Sequence, residues 1–198
     1  MQSFSRKNWL LLLLFGTIGQ IAWSVENMFF GTFVYESFKD YNLADGGLGT
    51  VTLMVQLSGI VATVVTLIAG TLSDKLGKRK IFICGGYILW GVSIFSFVFI
   101  RLDVINAVFP AIVSAASVGV SLVIILDCVM TFFGSTANDA AFNAWLTDST
   151  DSTNRGSAEG INAMMPLVAI LVVFGGFMFF DLSKTDSWTY IFSIISPR

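Results

Sequence analysis

The chain has 198 residues, of which 55% are hydrophobic and 12% charged, with a net charge of −2. Soluble domains carry about 25% charged residues, so this composition does not fit one, and so small a net charge argues against nucleic acid as a partner. Histidine is absent, so any proton chemistry must use carboxylates.

Several apolar runs reach the roughly 20 residues that cross a bilayer as a helix. The expected fold class is therefore all-α, a multi-pass transmembrane helix bundle. The N-terminus resembles a signal peptide, with Arg6 and Lys7 before a run of leucines, but no small-residue cleavage site follows. It reads as a first spanning helix, from about Trp9 to Tyr35. A polar stretch, ESFKDYNLADGG, separates it from a second helix over Leu48 to Leu72. A charged turn leads to a third helix over Ile81 to Ile100. Val104 to Val118, which contains Pro110, reads as a loop or short surface helix, and a fourth helix spans Val120 to Leu146. After the loop TDSTDSTNRGSAEG, a fifth helix covers Ile161 to Phe180, with Pro166 as a possible kink. A sixth apolar run begins at Trp188 and stops after eleven residues, too few to span. Cys84 and Cys128 both fall in apolar runs and read as small hydrophobes.

Basic residues orient the bundle. With this helix count, seven lie on one side (Arg6, Lys7, Lys75, Lys78, Arg79, Lys80 and Arg155) and three on the other (Lys39, Arg101 and Lys184). Arg198 is left out because the sixth helix is unfinished. The excess puts the N-terminus in the cytoplasm. The expected location is a plasma (inner) membrane.

The stretch GTLSDKLGKRK follows the second helix. Positive-inside anchoring accounts for its bases, but not for an acid and two glycines at this spacing. Gly70, Asp74, Lys75, Gly77, Lys78 and Arg79 fill every position of Gly-x-x-x-Asp-(Arg/Lys)-x-Gly-(Arg/Lys)-(Arg/Lys). This resembles the signature loop of the major facilitator superfamily, and it lies where that family places it. The resemblance implies a conformational-switch role for these six residues, with Asp74 meeting a helix of a second half. The loop after the fourth helix, with Asp148, Asp151, Arg155 and Gly156, looks like the family's acidic-then-Arg-Gly cytoplasmic loop. The stretches GQIAWSVENMFFGTFVY and MTFFGSTANDAAFNAWLTD look similar to the sugar:cation symporter group, the glycoside–pentoside–hexuronide and sucrose-transporter-like members. One departure stands out: the second helix has no acid before Asp74, whereas symporters of the melibiose-permease type carry cation-site acids there.

Of the thirteen acids, Glu26, Asp127 and Asp139 lie within helices. Carboxylates at membrane depth usually face a cavity or a partner. At about 100° per residue, Asp127, Thr131, Gly134 and Asn138 share one face of the fourth helix, and Asp139 lies about 100° off it. Gly16, Gln20, Ser24, Asn27 and Gly31 form a stripe on the first helix, with Glu26 well off it. Thr52, Gln56, Gly59, Thr63 and Gly70 line up on the second. Small and hydroxyl residues also serve as glue between membrane helices. The candidate substrate and cation cavity is Gln20, Asn27, Gln56, Asp127, Asn138 and Asp139. For Glu26 and Asp139, function and a structural pairing with another helix both stay open.

No metal-ligand cluster and no nucleophile with a base is visible in the sequence, so neither a metal, a cofactor nor an enzymatic activity is expected. The resemblance implies the N-terminal half of a twelve-helix secondary transporter, incomplete at residues 1–198 and inactive alone. Its expected partners are a small polar solute (a sugar), a coupling H⁺ or other cation, the lipid bilayer and a C-terminal half. The alternatives are an exporter of drugs or metabolites of the same superfamily, or a small membrane protein without transport activity, such as an assembly factor.

Overall fold

A computed structural model of the chain describes residues 4–38, 48–108 and 115–195. The described residues are helical and contain no strand. Lys39, Asp40, Asp45 and Pro110, which the sequence reading used for loops and for sidedness, lie outside them, as does Arg198. Among the described residues, five helices are long and apolar enough to cross a membrane. The chain is an integral membrane protein.

The first crossing joins α1 (Arg6–Val25), a π segment (Glu26–Phe30) and α2 (Gly31–Phe38). Ser5 opens it as an N-cap, its hydroxyl accepting from the Asn8 amide at 3.2 Å. The second crossing, α3 (Leu48–Leu76), has 29 residues and is about 43 Å long at 1.5 Å per residue. It therefore outruns the hydrocarbon core, about 30 Å thick. The third is α4 (Arg79–Ser96), closed by a 3₁₀ turn (Phe97–Phe99). A short helix, α5 (Leu102–Val108), follows. The fourth joins α6 (Ala115–Gly134), a second π segment (Ser135–Phe142) and α7 (Asn143–Ser149). The fifth, α8 (Arg155–Phe177), runs through Pro166 without ending. Last comes α9 (Thr185–Ile195), eleven residues long.

Two boundaries correct the sequence reading. The second helix does not stop at Leu72 but runs to Leu76, so Asp74 and Lys75 are helical rather than in a loop, and Gly70 is helical as expected. The actual stop is Gly77, at φ 60°, whose amide donates to the Ser73 carbonyl at 3.0 Å. That is the left-handed position where glycine avoids the penalty of a Cβ. Likewise α8 begins at Arg155, so Arg155 and Gly156 open a helix, and the preceding loop shrinks to residues 150–154. The fourth crossing also reaches further toward the N-terminus than expected, to Ala115 among the described residues.

Packing follows small residues. A Cβ added at Gly86 of α4 would stand 2.6 Å from Ala137 Cβ, and one at Gly134 would stand 2.8 Å from the Trp90 ring. Only glycine lets these helices approach so closely. α1 packs along α8, while α3 and α4 pack on α6 and its π segment. Phe30, Phe33, Phe97, Trp188 and Phe192 form an aromatic cluster with edge-on contacts, such as Phe33 to Phe192 at 5.0 Å between centroids. It ties α9 to the first crossing, each pair contributing about 0.5–1.5 kcal/mol beyond its buried area. The large exposed side chains are Leu, Ile, Val, Phe and Met, among them Leu67, Ile88 and Leu171. Such an apolar exterior suits lipid.

Charges sort to the two ends. Arg79, at the start of α4, reaches Asp148 at the end of α7 at 2.8 Å. At the opposite end of α4, Arg101 approaches Asp186 at 3.5 Å and Thr189 at 3.3 Å, both on α9. The α3–α4 turn and the α7–α8 loop therefore share one end of the bundle.

Candidate functional site

A cavity of about 580 Å³ opens between the first crossing, α3 and α6. Its polar wall holds Glu26, Asn27, Ser58, Asp127 and Thr131, and its aromatic wall holds Trp23 and Tyr35. Thr131 donates its hydroxyl proton to Glu26 Oε1 at 3.1 Å, joining the first crossing to α6. Asp127 is 1% exposed. Asp127 Oδ1, Glu26 Oε2 and Trp23 Nε1 are buried and have no hydrogen-bond partner among the described residues. Among the described residues, no lysine or arginine lines this cavity.

Local structure explains how Glu26 arrives there. It stands three residues after Trp23 and beside Asn27, so the face that lines the cavity is Trp23, Glu26, Asn27, Gly31 and Tyr35 and not the stripe of Gly16, Gln20 and Ser24. The π segment begins at Glu26. π segments are frequent at functional sites because they widen the helix and re-aim side chains. Ser58 and Met54 on α3 were also missed. The available signal was spacing: Met54, Ser58 and Ala62 recur every four residues on one face.

Of the six residues proposed from sequence for the cavity, Asn27 and Asp127 line it, and Gln20, Gln56, Asn138 and Asp139 do not. Gln56 is on the exposed face of α3, and Gln20 is half-buried on α1. Asn138 and Asp139 fall in the second π segment and belong to a network deeper in the bundle. The Tyr87 hydroxyl of α4 stands 2.8 Å from the Phe15 carbonyl oxygen and 2.9 Å from Asn138 Oδ1. Asn138 Nδ2 donates to Asp139 Oδ1 at 3.1 Å. These bonds satisfy buried polar groups and join three helices, as membrane interiors require. A larger space of about 750 Å³ between α1, α4, α8 and α9 has nearly all-apolar walls and no carboxylate.

The second group of sequence-proposed residues comes together at the bundle end. Arg79 Nη2 lies 2.8 Å from both Asp74 Oδ1 and Asp148 Oδ2. One nitrogen thus serves α3 and α7, while Nη1 is buried without a partner among the described residues. Gly70, Lys75, Gly77 and Lys78 surround this pair on the end of α3 and its turn, and Lys75 and Lys78 are exposed. Arg155 donates to the Thr147 carbonyl at 2.9 Å and the Thr150 hydroxyl at 3.2 Å, clasping the end of α7 to the start of α8. Asp151 accepts from the Thr153 amide at 2.9 Å and from its hydroxyl. Those two donors hold its carboxyl below the usual aspartate range. At the other end, the Arg101 guanidinium does the same to Asp103.

Comparison with known proteins is narrow. No protein-family model matches the chain, and no solved structure matches it. Monosaccharide-sensing protein 1 of Arabidopsis thaliana is 36% identical over 101 residues, covering 46% of this chain. The match spans only 13% of that relative's length.

Proposed function

We propose that the chain is one half of a secondary transporter that works by alternating access on a small polar solute, most simply a monosaccharide, driven by a coupling cation. The observation that carries this reading is the cavity shared by three spanning helices, with two carboxylates and, among the described residues, no base. Transporters of this kind hold substrate and coupling ion near the bilayer midplane, where each half presents such a face. The oxygens of Asn27 and Thr131 can accept from sugar hydroxyls, and Trp23 and Tyr35 offer an aromatic wall. The name of the plant relative supports a monosaccharide. The Arg79 pair, at the end of the bundle assigned to the cytoplasm, is the element that biases which way the transporter faces.

The test is uptake of labelled monosaccharides by the full-length protein in vesicles, with and without an inward H⁺ or Na⁺ gradient. Gradient-driven accumulation is expected, and Asp127→Asn should abolish the gradient dependence. Coupling that survives Asp127→Asn, or no accumulation of any neutral solute, overturns the reading.

The acid-and-aromatic lining favours one second reading, export of a cationic drug or metabolite. Such a solute would pair with Glu26 and Asp127 and lie on Trp23 or Tyr35. Competition of monosaccharide uptake by neutral sugars but not by amines decides between the two.

A further inference from the structure

We propose that Glu26, Ser58, Asp127 and Thr131 form a single binding site for one monovalent cation, bridging the first crossing, α3 and α6. This names the coupling-ion site of the transporter proposed above and rests on that reading. It also supplies what α3 lacks: the second carboxylate comes from the first crossing rather than from α3.

Three observations converge. Asp127 is 1% exposed, and its Oδ1 has no partner among the described residues. Glu26 Oε2, in the same cavity, is buried and equally without one. A carboxylate taken out of water needs a compensating charge or a proton, and among the described residues no lysine or arginine lines the cavity. Thr131 donates its proton to Glu26 at 3.1 Å. Ser58 stands beside Asp127 and 3.2 Å from the Val55 carbonyl oxygen, with one proton for the two acceptors. Each hydroxyl oxygen also carries lone pairs that can accept. Two carboxylates and two hydroxyls thus bring oxygens from three helices to one cavity.

The ionisable surroundings are also accounted for. Asp139 and Cys128 of the fourth crossing are the other titratable groups around the pair, and Tyr87 of α4 lies by Asp139. α3 brings no titratable residue to the cavity, and Tyr35 stands in its wall on α2. Two carboxylates in one site repel when both are ionised, so one positive charge relieves most of the conflict. A divalent ion takes six to eight oxygens as a rule for calcium, or a near-ideal octahedron for magnesium. No cluster of three or more acids, cysteines or histidines exists among the described residues. A single sodium ion or a proton fits better.

The experiment uses the protein in detergent or vesicles, without solute, and has two arms. The first measures binding of radioactive sodium, with choline replacing it at equal ionic strength. The second records infrared difference spectra between alkaline and mildly acidic choline buffer, following the carbonyl stretch of a protonated carboxylic acid. The proposal expects one saturable sodium ion per chain, or, with the proton as occupant, no sodium binding and a single acid band. Either signal disappears in Glu26→Gln and in Asp127→Asn. Glu26→Asp and Asp127→Glu keep the charge and keep the signal, which separates loss of a ligand from loss of fold. Ser58→Ala weakens sodium roughly tenfold and leaves the proton band unchanged. A signal that persists in both neutral variants, two bands lost one per variant, or no signal in either arm overturns the proposal. Cation binding without any transport sinks the transporter reading and leaves the site standing.

Discussion

Replacing Arg79 by alanine should loosen one end of the bundle by a small, calculable amount. Arg79 is 20% exposed, while Asp74 and Asp148 are 60% and 59% exposed. Both contacts run through Nη2 alone, so neither is the bidentate geometry that gives strong pairs. Solvent screens the two carboxylates, and exposed pairs contribute about 0.2–1 kcal/mol each. The two together come to about 1 kcal/mol, with some further loss of packing from the guanidinium stem. For a chain of this size 1 kcal/mol shifts the midpoint of thermal unfolding by about 2–4 °C. The assay is thermal unfolding of wild type, Arg79→Ala, Asp74→Asn and Asp148→Asn in detergent, at low and high salt. Each acid variant should show about half the drop of Arg79→Ala, and salt should narrow all the differences. An unchanged midpoint in Arg79→Ala, or a drop confined to Asp74→Asn, would refute the view that Arg79 clasps α3 to α7.

Other expectations follow from single contacts. Gly86→Ala should lower the unfolding midpoint, because its Cβ would stand 2.6 Å from Ala137 Cβ and 3.3 Å from Ala137 Cα. Overpacking costs about 1–3 kcal/mol, which exceeds the gain of about 1 kcal/mol in helix propensity. The adjacent Gly85→Ala meets nothing within 4 Å and should be neutral or stabilising in the same scan. Tyr87→Phe removes the hydroxyl shared between the Phe15 carbonyl and Asn138. It should destabilise by about 1–3 kcal/mol for the buried acceptors left short, measured as a drop in unfolding midpoint. Asp151 titrates below its ordinary 3.8 because Thr153 donates to it. A depressed carboxyl contributes its stability in full above the unfolded value and loses it as pH falls through the folded one. The Thr153 amide resonance should therefore report this titration, with its midpoint below 3.8.

The five crossings were legible in the sequence because each is a long apolar run, and lipid permits little else. Helix ends were less legible. Asp74 and Lys75 read as loop because they are charged, yet a helix outrunning the hydrocarbon core keeps its charges on its last turns. Gly77 was the better stop signal, being the residue that adopts a positive φ. Arg155 misled in the same way at the start of α8. The cavity was half legible for a different reason. Face assignments at 3.6 residues per turn hold through Asp127 and Thr131 and fail where the helix becomes π. Glu26 and Asn138 both sit in π segments. The first was placed off the lining and lines it, and the second was placed in it and bonds Tyr87 instead. Gln56 failed for want of tertiary information: a polar residue on a helical stripe does not say which neighbour the stripe meets.

The cavity and the bundle-end pair share one helix, and this makes their independence testable. The fourth crossing, residues 117–149, carries Asp127 and Thr131 at the cavity and Asp148 at the Arg79 pair. Seventeen residues separate Thr131 from Asp148, about 26 Å at helical rise, with the second π segment between them. A cation that draws α6 toward Glu26 pulls on the same rod that Arg79 holds at its far end. Linkage is reciprocal: if bound cation changes the cost of Arg79→Ala, then Arg79→Ala changes cation affinity by the same factor. The measurement is a cycle of wild type, Arg79→Ala, Asp127→Asn and the double variant, each unfolded with and without saturating cation. Sites this far apart and sharing no partner normally add to within about 0.3–0.5 kcal/mol. Coupling beyond that limit, present only with cation, is expected if the rod transmits. Strict additivity would mean that the π segment absorbs the movement, and that the Arg79 pair stabilises the bundle without sensing what the cavity holds.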